Sequence, residues 1–337
     1  MNRLQHIAMY FMITMIPLFN SCFEEDDIME PMTGDFIFIE QSIYDYQVYF
    51  DLSSRNEILT QPNSVWTLGF NTAPDGWQIK VNTSDFWSIC RTGNQNYSEL
   101  QEPGQDLDWY SDASSGNPDS TAVGIWFDVV DDDTLYSNEV FILGKYDGIT
   151  YHPVYKFVLT CISSDHYEFK YGLLSDRNGK DIQITKDTNY NYVYFSMEFG
   201  KEVLAEPGKK DWDLVFNQYY TTLYTDEGLP TPYYVRGVFI NPSGITVATD
   251  TLNQYLSIGL PDTTRYLFSN NQDIIGYEWK NVEIDEQSNS AIYKADPTRT
   301  YIIRDSELNY YKLRFIGYYN EEGLKGFPTF EYRKLID

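Results

Sequence analysis

The sequence predicts an all-β protein made of two tandem antiparallel β domains, which follow a signal peptide and an acidic tether. Three observations support this fold class. The chain holds 30 Tyr and 20 Phe, and aromatic side chains suit half-buried strands. Apolar and polar residues alternate at period 2 in many segments. Three blocks of sequence also recur, in the same order, in the second half of the chain.

Residues 1–21 have the features of a signal peptide. Arg3 gives a short positive region, and an apolar run of 13 residues extends from Ile7 to Phe19. This length suits a signal peptide and is too short to span a bilayer. Ser21 precedes Cys22 as in a bacterial lipobox, where the thiol is diacylated. We therefore predict a diacylglycerol and palmitate anchor on Cys22. The alternative is a plain secretory signal with a nearby cysteine.

Residues 22–35 form the predicted acidic tether. Four carboxylates follow the cysteine within Phe23–Asp27, and this run resembles the surface-export signal of Bacteroidetes lipoproteins. A solvated tether without a signalling role is the alternative. Pro31 and Gly34 interrupt regular structure before the first domain. The expected location is the outer membrane, lipid-anchored through Cys22 and facing the cell exterior.

The charge of the chain excludes one class of partner. The formal net charge is -26 at pH 7, and removal of the signal peptide takes away Arg3 and no acid, which gives -27. Nucleic-acid affinity comes mainly from Lys and Arg that neutralise phosphates. The sequence therefore predicts no nucleic-acid partner, and contact with an anionic membrane only through the lipid anchor.

The internal repeat divides the chain into two domains. The paired blocks are Tyr46–Leu52 with Asn191–Met197, Val65–Asn71 with Asp211–Asn217, and Tyr155–Gly179 with Arg299–Gly323. The offsets are nearly constant, at 145, 146 and 144 residues. The positions kept are the alternating apolar ones, which form the buried faces of strands. We predict a first domain over residues 36–185 and a second over residues 186–337.

Alternation predicts the strands of the second domain. They are expected at 191–198, 211–218, 219–225, 233–240, 300–305 and 309–318. Within the expected strand at 211–218, the side chains of Trp212, Leu214 and Phe216 are expected to point inward, and that of Asp213 outward. Segments 92–120 and 241–275 are rich in Gly, Pro, Asn and Asp, which predicts loops or edge hairpins. Exposed loops of this kind are common places for binding sites.

Four motifs of the second half resemble a known family. They read VYFSMEFGKEV, KKDWDLVF, RTYIIRDSELNYYKLRFIGYYN and GFPTFEYRKL, and together they are similar to the HmuY-type haem-binding lipoproteins of Bacteroidetes. The similarity extends from Tyr190 to the C-terminus, and the first half resembles the family through its similarity to the second. The resemblance implies an all-β fold, surface display and capture of haem by two axial side chains. An outer-membrane transporter is a candidate partner.

The candidate haem ligands are His152, His166 and Met197, because haem iron takes His, Met, Cys thiolate or Tyr. Pro153 places His152 in a predicted loop, whereas His166 lies near a hairpin turn. About nine strand residues, at about 3.3 Å each, separate the two imidazoles by roughly 30 Å. A bis-His haem needs nitrogens about 4 Å apart, so this pair is not expected to share a haem. Met197 aligns with Leu52 and is expected in the core.

Other chemistry receives little support. The acidic run Asp128–Thr134 could bind Ca²⁺, although a solvated acidic loop is the simpler interpretation. No G-x-S-x-G, H-E-x-x-H or P-loop spacing occurs, and we predict that the chain is not an enzyme.

Cys90 and Cys161 could form a disulfide or remain two buried thiols. Four Trp of the first domain could stack on sugars or pack in the core: Trp77, Trp87, Trp109 and Trp126.

The predicted function is that of a cell-surface lipoprotein that binds an extracellular ligand. Haem or a related porphyrin is the ligand, and the cofactor, that the family resemblance implies. The alternative is a surface module for a glycan or protein partner, or a structural lipoprotein that has lost its haem ligands. The sequence leaves these alternatives open.

Overall fold

The computed structural model of the chain describes residues 34–131, 133–224, 227–285 and 290–336. The predicted signal peptide, the lipidation site Cys22 and the acidic run Phe23–Asp27 lie outside the described residues. Within the described ranges, no helix is both long and apolar enough to cross a membrane.

Among the described residues, the first half of the chain, which ends at residue 185, contributes thirteen strands. They are β1 (Asp35–Phe38), β2 (Tyr46–Asp51), β3 (Asn56–Pro62), β4 (Leu68–Asn71), β5 (Ile79–Val81), β6 (Trp87–Arg91), β7 (Trp109–Tyr110), β8 (Phe127–Val130), β9 (Asp133–Tyr136), β10 (Val140–Tyr146), β11 (Tyr151–Ile162), β12 (His166–Leu173) and β13 (Lys180–Thr185). Short 3-10 helices occur at Asn63–Val65, Thr83–Asp85 and Pro118–Ser120.

The second half contributes ten strands. They are β14 (Tyr192–Ser196), β15 (Lys201–Val203), β16 (Leu214–Tyr224), β17 (Pro230–Ile240), β18 (Thr246–Asp250), β19 (Lys280–Asp285), β20 (Ser290–Ala295), β21 (Thr300–Arg304), β22 (Tyr310–Tyr319) and β23 (Lys325–Leu335). Two 3-10 helices occur at Tyr255–Ser257 and Leu260–Arg265.

The strands form antiparallel sheets, and the prediction of an all-β protein is confirmed. The larger sheets have the orders β1-β23-β22-β21-β18, β13-β12-β11-β10-β6-β7, β15-β14-β4-β5 and β17-β16-β2-β3. Two separate hairpins pair β8 with β9 and β19 with β20. The predicted hairpin at the end of each repeat is also present, as β11–β12 and as β21–β22.

The first strand of each repeat pairs with the other half of the chain. β2 pairs with β16, so that Phe50 lies opposite Leu214. β14 pairs with β4, so that Phe195 lies opposite Leu68. The two halves therefore exchange equivalent strands in two of the sheets, and they also share the sheet in which β1 pairs with β23. The domain boundary at residues 185 and 186 stays a prediction.

The exchange also completes the two large apolar cores. One core combines side chains of the second half with Val48, Phe50 and Leu52. The other combines side chains of the first half with Phe195 and Met197. Each exchanged strand thus buries a phenylalanine in the opposite core, which is a large contribution of apolar area.

Three details of the predicted strand pattern were wrong. The segments 211–218 and 219–225 belong to one continuous strand, β16, because no Gly or Pro interrupts its alternation. Asp213 is buried rather than outward, and its carboxylate accepts a hydrogen bond of 2.9 Å from the backbone N–H of Leu52. Trp212 precedes β16, so the two-residue period does not extend to it. It packs with Tyr49 rather than with Leu214.

The segments predicted as loops are mainly irregular, with one further strand. β18 lies within 241–275 and pairs with β21, whereas 92–120 holds only the two-residue β7 and a 3-10 helix among its described elements. The two cysteines are free thiols, with Cys90 buried and Cys161 half-buried. The structure thus contains no bond between these two sulfurs.

Candidate functional site

His152 lies within β11 rather than in the loop that Pro153 suggested. Pro153 sits opposite Gly144, at a shift in the register between β10 and β11. A proline is tolerated at such an irregularity because its missing N–H interrupts no regular ladder there. The Nε2 atom of the exposed His152 lies 2.6 Å from a carboxylate oxygen of Asp147.

His166 begins β12, at the opposite end of the β11–β12 hairpin. Its Nδ1 atom lies 2.8 Å from the Ser163 hydroxyl and 2.9 Å from a carboxylate oxygen of Asp165. At about 3.3 Å per residue, the length of β11 separates His166 from His152 by roughly 30 Å. Met197 is buried in the core of the first half. The structure does not bring these three candidate ligands together.

The side chains that do converge line a cavity of about 290 Å³, which we call the shared cavity because both halves contribute to it. Ligand pockets commonly measure about 300–1,000 Å³, so the shared cavity suits a small ligand. Its floor and walls include Gln47, Tyr49, Trp66, Asn71, Lys80 and Asp112 from the first half, and Tyr192, Tyr194, Glu206, Trp212, Val215 and Asn217 from the second.

The exchanged strands create this cavity through the two-residue period of a β-strand. On β2, Val48 and Phe50 enter the core, whereas Gln47 and Tyr49 line the cavity. On β14, Phe195 enters the opposite core, and Tyr192 and Tyr194 line the cavity. The same strand exchange therefore builds both the cores and the candidate site.

Two aromatic pairs wall the cavity, and each pair joins the two halves. Trp66 packs against Tyr194, with ring centroids 4.7 Å apart and ring planes at 67°. Trp212 packs against Tyr49, with centroids 4.9 Å apart and planes at 87°. Edge-to-face packing of this kind is favourable because of the aromatic quadrupole. The residues of the two pairs occupy matching positions of the predicted sequence repeat, Trp66 with Trp212 and Tyr49 with Tyr194.

Four buried polar atoms around the cavity have no hydrogen-bond partner within the described part of the chain. They are the indole nitrogens of Trp66 and Trp212, the amide nitrogen of Gln47 and the amide oxygen of Asn217. Each such group costs about 1–3 kcal/mol when it stays unpaired. Groups of this kind are uncommon and call for an explanation, such as a role in binding. The four atoms are buried in the wall, although their residues line the cavity.

The carboxyl groups of the lining already have partners. Glu206 accepts hydrogen bonds from the backbone N–H of Asn191 and of Tyr192, at 2.6 and 2.9 Å. The hydroxyl of Tyr194 also donates to it, at 3.2 Å. Burial raises the pKa of Glu206 to about 7. It also raises the pKa of Asp112, which accepts from two backbone N–H groups, to about 6.

Lys80 is the only cationic side chain among the described residues that line the cavity. Its ammonium nitrogen lies 4.1 Å from the ring centroid of Tyr192 and 3.3 Å from the amide oxygen of Gln272. The Lys80 charge also opposes the rise in the pKa of Glu206. The cation is therefore held by neighbouring side chains of the wall.

The rim of the cavity reaches solvent. Asn117, Pro118 and Pro242 line it and are exposed. Gly116 fixes the rim loop against Gln272, because its φ of 73° is left-handed and a Cβ atom there would lie 2.6 Å from the Gln272 side chain. The backbone N–H of Gln272 donates to the carbonyl of Ser115 at 2.9 Å.

The lining of the shared cavity does not fit axial ligation of haem. It contains no His, Met or Cys among the described residues. Tyrosine binds haem iron as well, but burial raises the pKa of Tyr49 and of Tyr194 well above the ordinary value and so opposes a phenolate. Elsewhere in the described chain, no three His, Cys, Asp or Glu side chains come together as a metal site.

Other candidate residues lie away from the shared cavity. Trp87 donates to Asp85 at 3.0 Å, and the indole of Trp126 donates to the carbonyl of Trp77 at 3.2 Å. Trp109 stacks on Tyr151. In the acidic run 128–134, the described aspartates are exposed. None of these residues takes part in the lining.

Sequence reasoning identified Trp66 and Trp212 as repeated positions but interpreted them as core residues without chemistry. Tyr49 and Tyr194 were inside the first matched block, and their role was missed. One feature of the sequence does point to them. In the first pair of matched blocks, aromatic residues recur on both faces of the strand. A strand with both faces apolar is buried on both sides, which indicates a second packed surface or a cavity.

The comparisons with known proteins agree with the sequence motifs. Residues 188–332 match the family model of HmuY protein. No curated protein matches the chain. Similar solved structures include a protein from Bacteroides vulgatus proposed to be an HmuY-like haem-binding protein, with 12% identity, 90% of this chain and 94% of that chain covered, and a TM-score of 0.22.

Two further solved structures are similar at the same level. The apo HmuY analog from Tannerella forsythia has 8% identity, covers 93% of this chain and 100% of its own, and has a TM-score of 0.24. Apo PinO from Porphyromonas gingivitis has 8% identity and a TM-score of 0.25. The match covers 90% of this chain and 99% of that chain. The predicted resemblance to the HmuY family is thus confirmed for the segment of residues 188–332.

Proposed function

We propose that the chain is a lipid-anchored cell-surface protein that binds a small extracellular ligand in the shared cavity. The observation that carries this proposal is a cavity open to solvent whose polar and aromatic walls come from both halves. The anchor on Cys22, diacylated and palmitoylated, remains part of the proposal.

Haem is the ligand that the family resemblance suggests, and an outer-membrane transporter is the partner that would receive it. The lining of the shared cavity favours a ligand held by aromatic packing and hydrogen bonds instead. The haem candidates His152 and His166 lie at opposite ends of the β11–β12 hairpin, and each contacts a carboxylate. We therefore place the ligand in the cavity and assign no axial role to these residues. No catalytic group is proposed.

A rim substitution tests the location of the site. Ala113 lines the cavity and is exposed, so Ala113→Trp should narrow the entrance without disturbing the floor. The matched control is Ala73→Trp, at an exposed alanine outside the lining. Native mass spectrometry of the mature chain after incubation with culture-medium extract would detect a bound small molecule. We expect Ala113→Trp to abolish the adduct and Ala73→Trp to retain it. An adduct that survives Ala113→Trp would contradict the proposed site.

A further inference from the structure

We propose that an apolar surface close to the tether seats the protein on the lipid bilayer. This inference rests on the lipid anchor of the proposed function and adds a second contact between the protein and the membrane. The partner is the apolar boundary of a lipid leaflet. We call the region the seating surface, and it consists of six exposed or half-buried side chains: Phe36, Phe38, Leu252, Leu256, Leu267 and Phe327.

Strand β1 turns two phenylalanines toward solvent. Its side chains alternate, so that Ile37 packs against the core of the second half, whereas Phe36 and Phe38 are 55% and 37% exposed. The ring of Phe38 stacks on that of Phe327 in β23, with centroids 6.2 Å apart and planes at 6°. The solvent face of an edge strand usually carries polar or charged residues. Contiguous apolar side chains there are typical of a protein or membrane contact.

The loop that follows β18 lies on the same face of this sheet. Phe36 is opposite Glu331, and Glu331 forms a buried ion pair of 2.8 Å with Arg314. The guanidinium of Arg314 lies 4.4 Å from the ring centroid of Tyr255, which belongs to the loop. The loop adds three leucines that are 42–93% exposed: Leu252, Leu256 and Leu267.

The place of this surface in the chain selects a membrane as its partner. Gly34, the first described residue, follows the predicted lipidation site Cys22 by twelve positions. At about 3.3–3.6 Å per residue, a chain of this length reaches at most about 40 Å. An inserted anchor therefore holds Phe36 close to the bilayer. A tethered surface meets its partner at a high effective concentration, so that a weak apolar contact is sufficient.

The charges of this face do not oppose the contact, although the chain has a formal net charge of -26. Glu331 is paired with Arg314, and Asp262 of the loop is paired with Arg265 at 2.9 Å. Arg333 is exposed and lies two residues from Glu331, on the same face of β23. An unpaired carboxylate would be costly to move out of water, whereas these acids already have cationic partners.

Quenching by brominated lipid tests the contact. The mature chain would carry Cys22→Ser and an N-terminal hexahistidine tag, and nickel-chelating lipid would attach it to phosphatidylcholine vesicles. This attachment keeps the tether and does not depend on acylation. Bromine atoms on the acyl chains quench a tryptophan that contacts lipid. We expect the fluorescence added by Phe36→Trp to be lost on brominated vesicles and retained on ordinary ones.

Phe199→Trp is the matched control, because Phe199 is 60% exposed and lies outside the seating surface. Its added fluorescence should be the same on both kinds of vesicle. A second measurement uses the untagged chain without an anchor. The combined change Phe36→Ser and Phe38→Ser should lower its partition coefficient into phosphatidylcholine vesicles about tenfold, because two apolar rings are lost. Phe199→Ser should leave the coefficient unchanged.

Equal quenching of the two tryptophan variants, or quenching of neither, would overturn the inference. A dimer in sedimentation velocity that the double serine variant dissociates, with no quenching, would identify a second copy as the occupant and would also overturn it. Mass spectrometry of the protein from bacterial membranes tests the anchor separately. An acylated Cys22 without quenching would leave the proposed function standing. An unacylated Cys22 would refute the anchor and, with it, the seating surface.

Discussion

Asp213 and Leu52 are joined by a hydrogen bond of 2.9 Å that links the beginning of β16 to the end of β2, across the two halves of the chain. The carboxyl group is buried. Burial, assisted by the neighbouring carboxylates Asp51 and Asp305, raises the pKa of Asp213 to about 7. We therefore expect the strand exchange to depend on pH at this junction.

We predict that the free energy of unfolding falls as the pH rises from about 4 to 8. A buried acid with a raised pKa favours its protonated form in the folded state, so its stabilising effect is complete below the unfolded pKa of about 3.9. The effect is lost as the pH passes about 7 for Asp213 and Glu206 and about 6 for Asp112. Urea unfolding at pH 5 and pH 8 would measure the difference.

Asp213→Asn tests the contribution of this single carboxyl group. Asparagine keeps an oxygen that can accept from the Leu52 N–H but cannot ionise. The variant should lose on the order of 2–4 kcal/mol of the pH dependence, whereas Asp211→Asn, at an exposed neighbouring position, should not. An unchanged pH profile in Asp213→Asn would show that Asp213 does not control this stability.

Phe195→Ala should destabilise the core of the first half, although Phe195 belongs to the second half by sequence. Its ring packs edge to face on Phe169 with centroids 5.2 Å apart. Removal of a buried phenylalanine ring costs about 3–5 kcal/mol. Chemical denaturation would measure the loss. Phe199→Ala is the control, because Phe199 is 60% exposed and should change stability by less than about 0.5 kcal/mol.

Neither half is expected to fold when it is expressed alone. Residues 36–185 would lack β14 and residues 186–337 would lack β2, and each of these strands fills part of the opposite core. Amide NMR spectra of the two fragments should show the narrow dispersion of unfolded chains, unlike the full mature chain. A well-dispersed spectrum from either fragment alone would indicate an autonomous domain and contradict this expectation.

Haemin should not form a six-coordinate complex with His152 and His166. His152 lies near the beginning of β11, His166 lies at the beginning of β12 at the other end of the hairpin, and Met197 is buried in a core. Titration of the mature chain with haemin should therefore give no sharp Soret shift. A sharp band that disappears in His152→Ala and persists in His166→Ala would reverse this conclusion and support haem ligation at His152.

The sequence was sufficient to predict the all-β class, because the alternation of apolar and polar residues indicates which side of each strand is buried. It could not predict the strand exchange. Phe50 and Phe195 occupy equivalent repeat positions, and the local pattern is the same whether each packs in its own half or in the other. The choice depends on long-range pairing, which residue periodicity does not encode.

The candidate site could not be predicted either, because it also depends on the long-range pairing of strands. Trp66 and Trp212 stand just before β4 and β16, where the two-residue period no longer fixes the direction of a side chain. The burial of Asp213 was also unpredictable, because its partner is a backbone N–H distant in sequence. His152 was placed in a loop because Pro153 follows it, whereas an irregular register lets the strand continue through the proline.

β1 holds the N-terminal end of the described chain at the edge of a sheet. It forms the edge of the sheet that contains β23, with Asp35 opposite Tyr332, and the N–H of Gly34 donates to the buried Glu331 at 2.6 Å. Tension applied through the preceding residues would reach this four-residue strand first. Because the strand is short, it would detach before the sheets around the shared cavity were loaded. Under such a load the edge strand would protect the rest of the described chain from the tension.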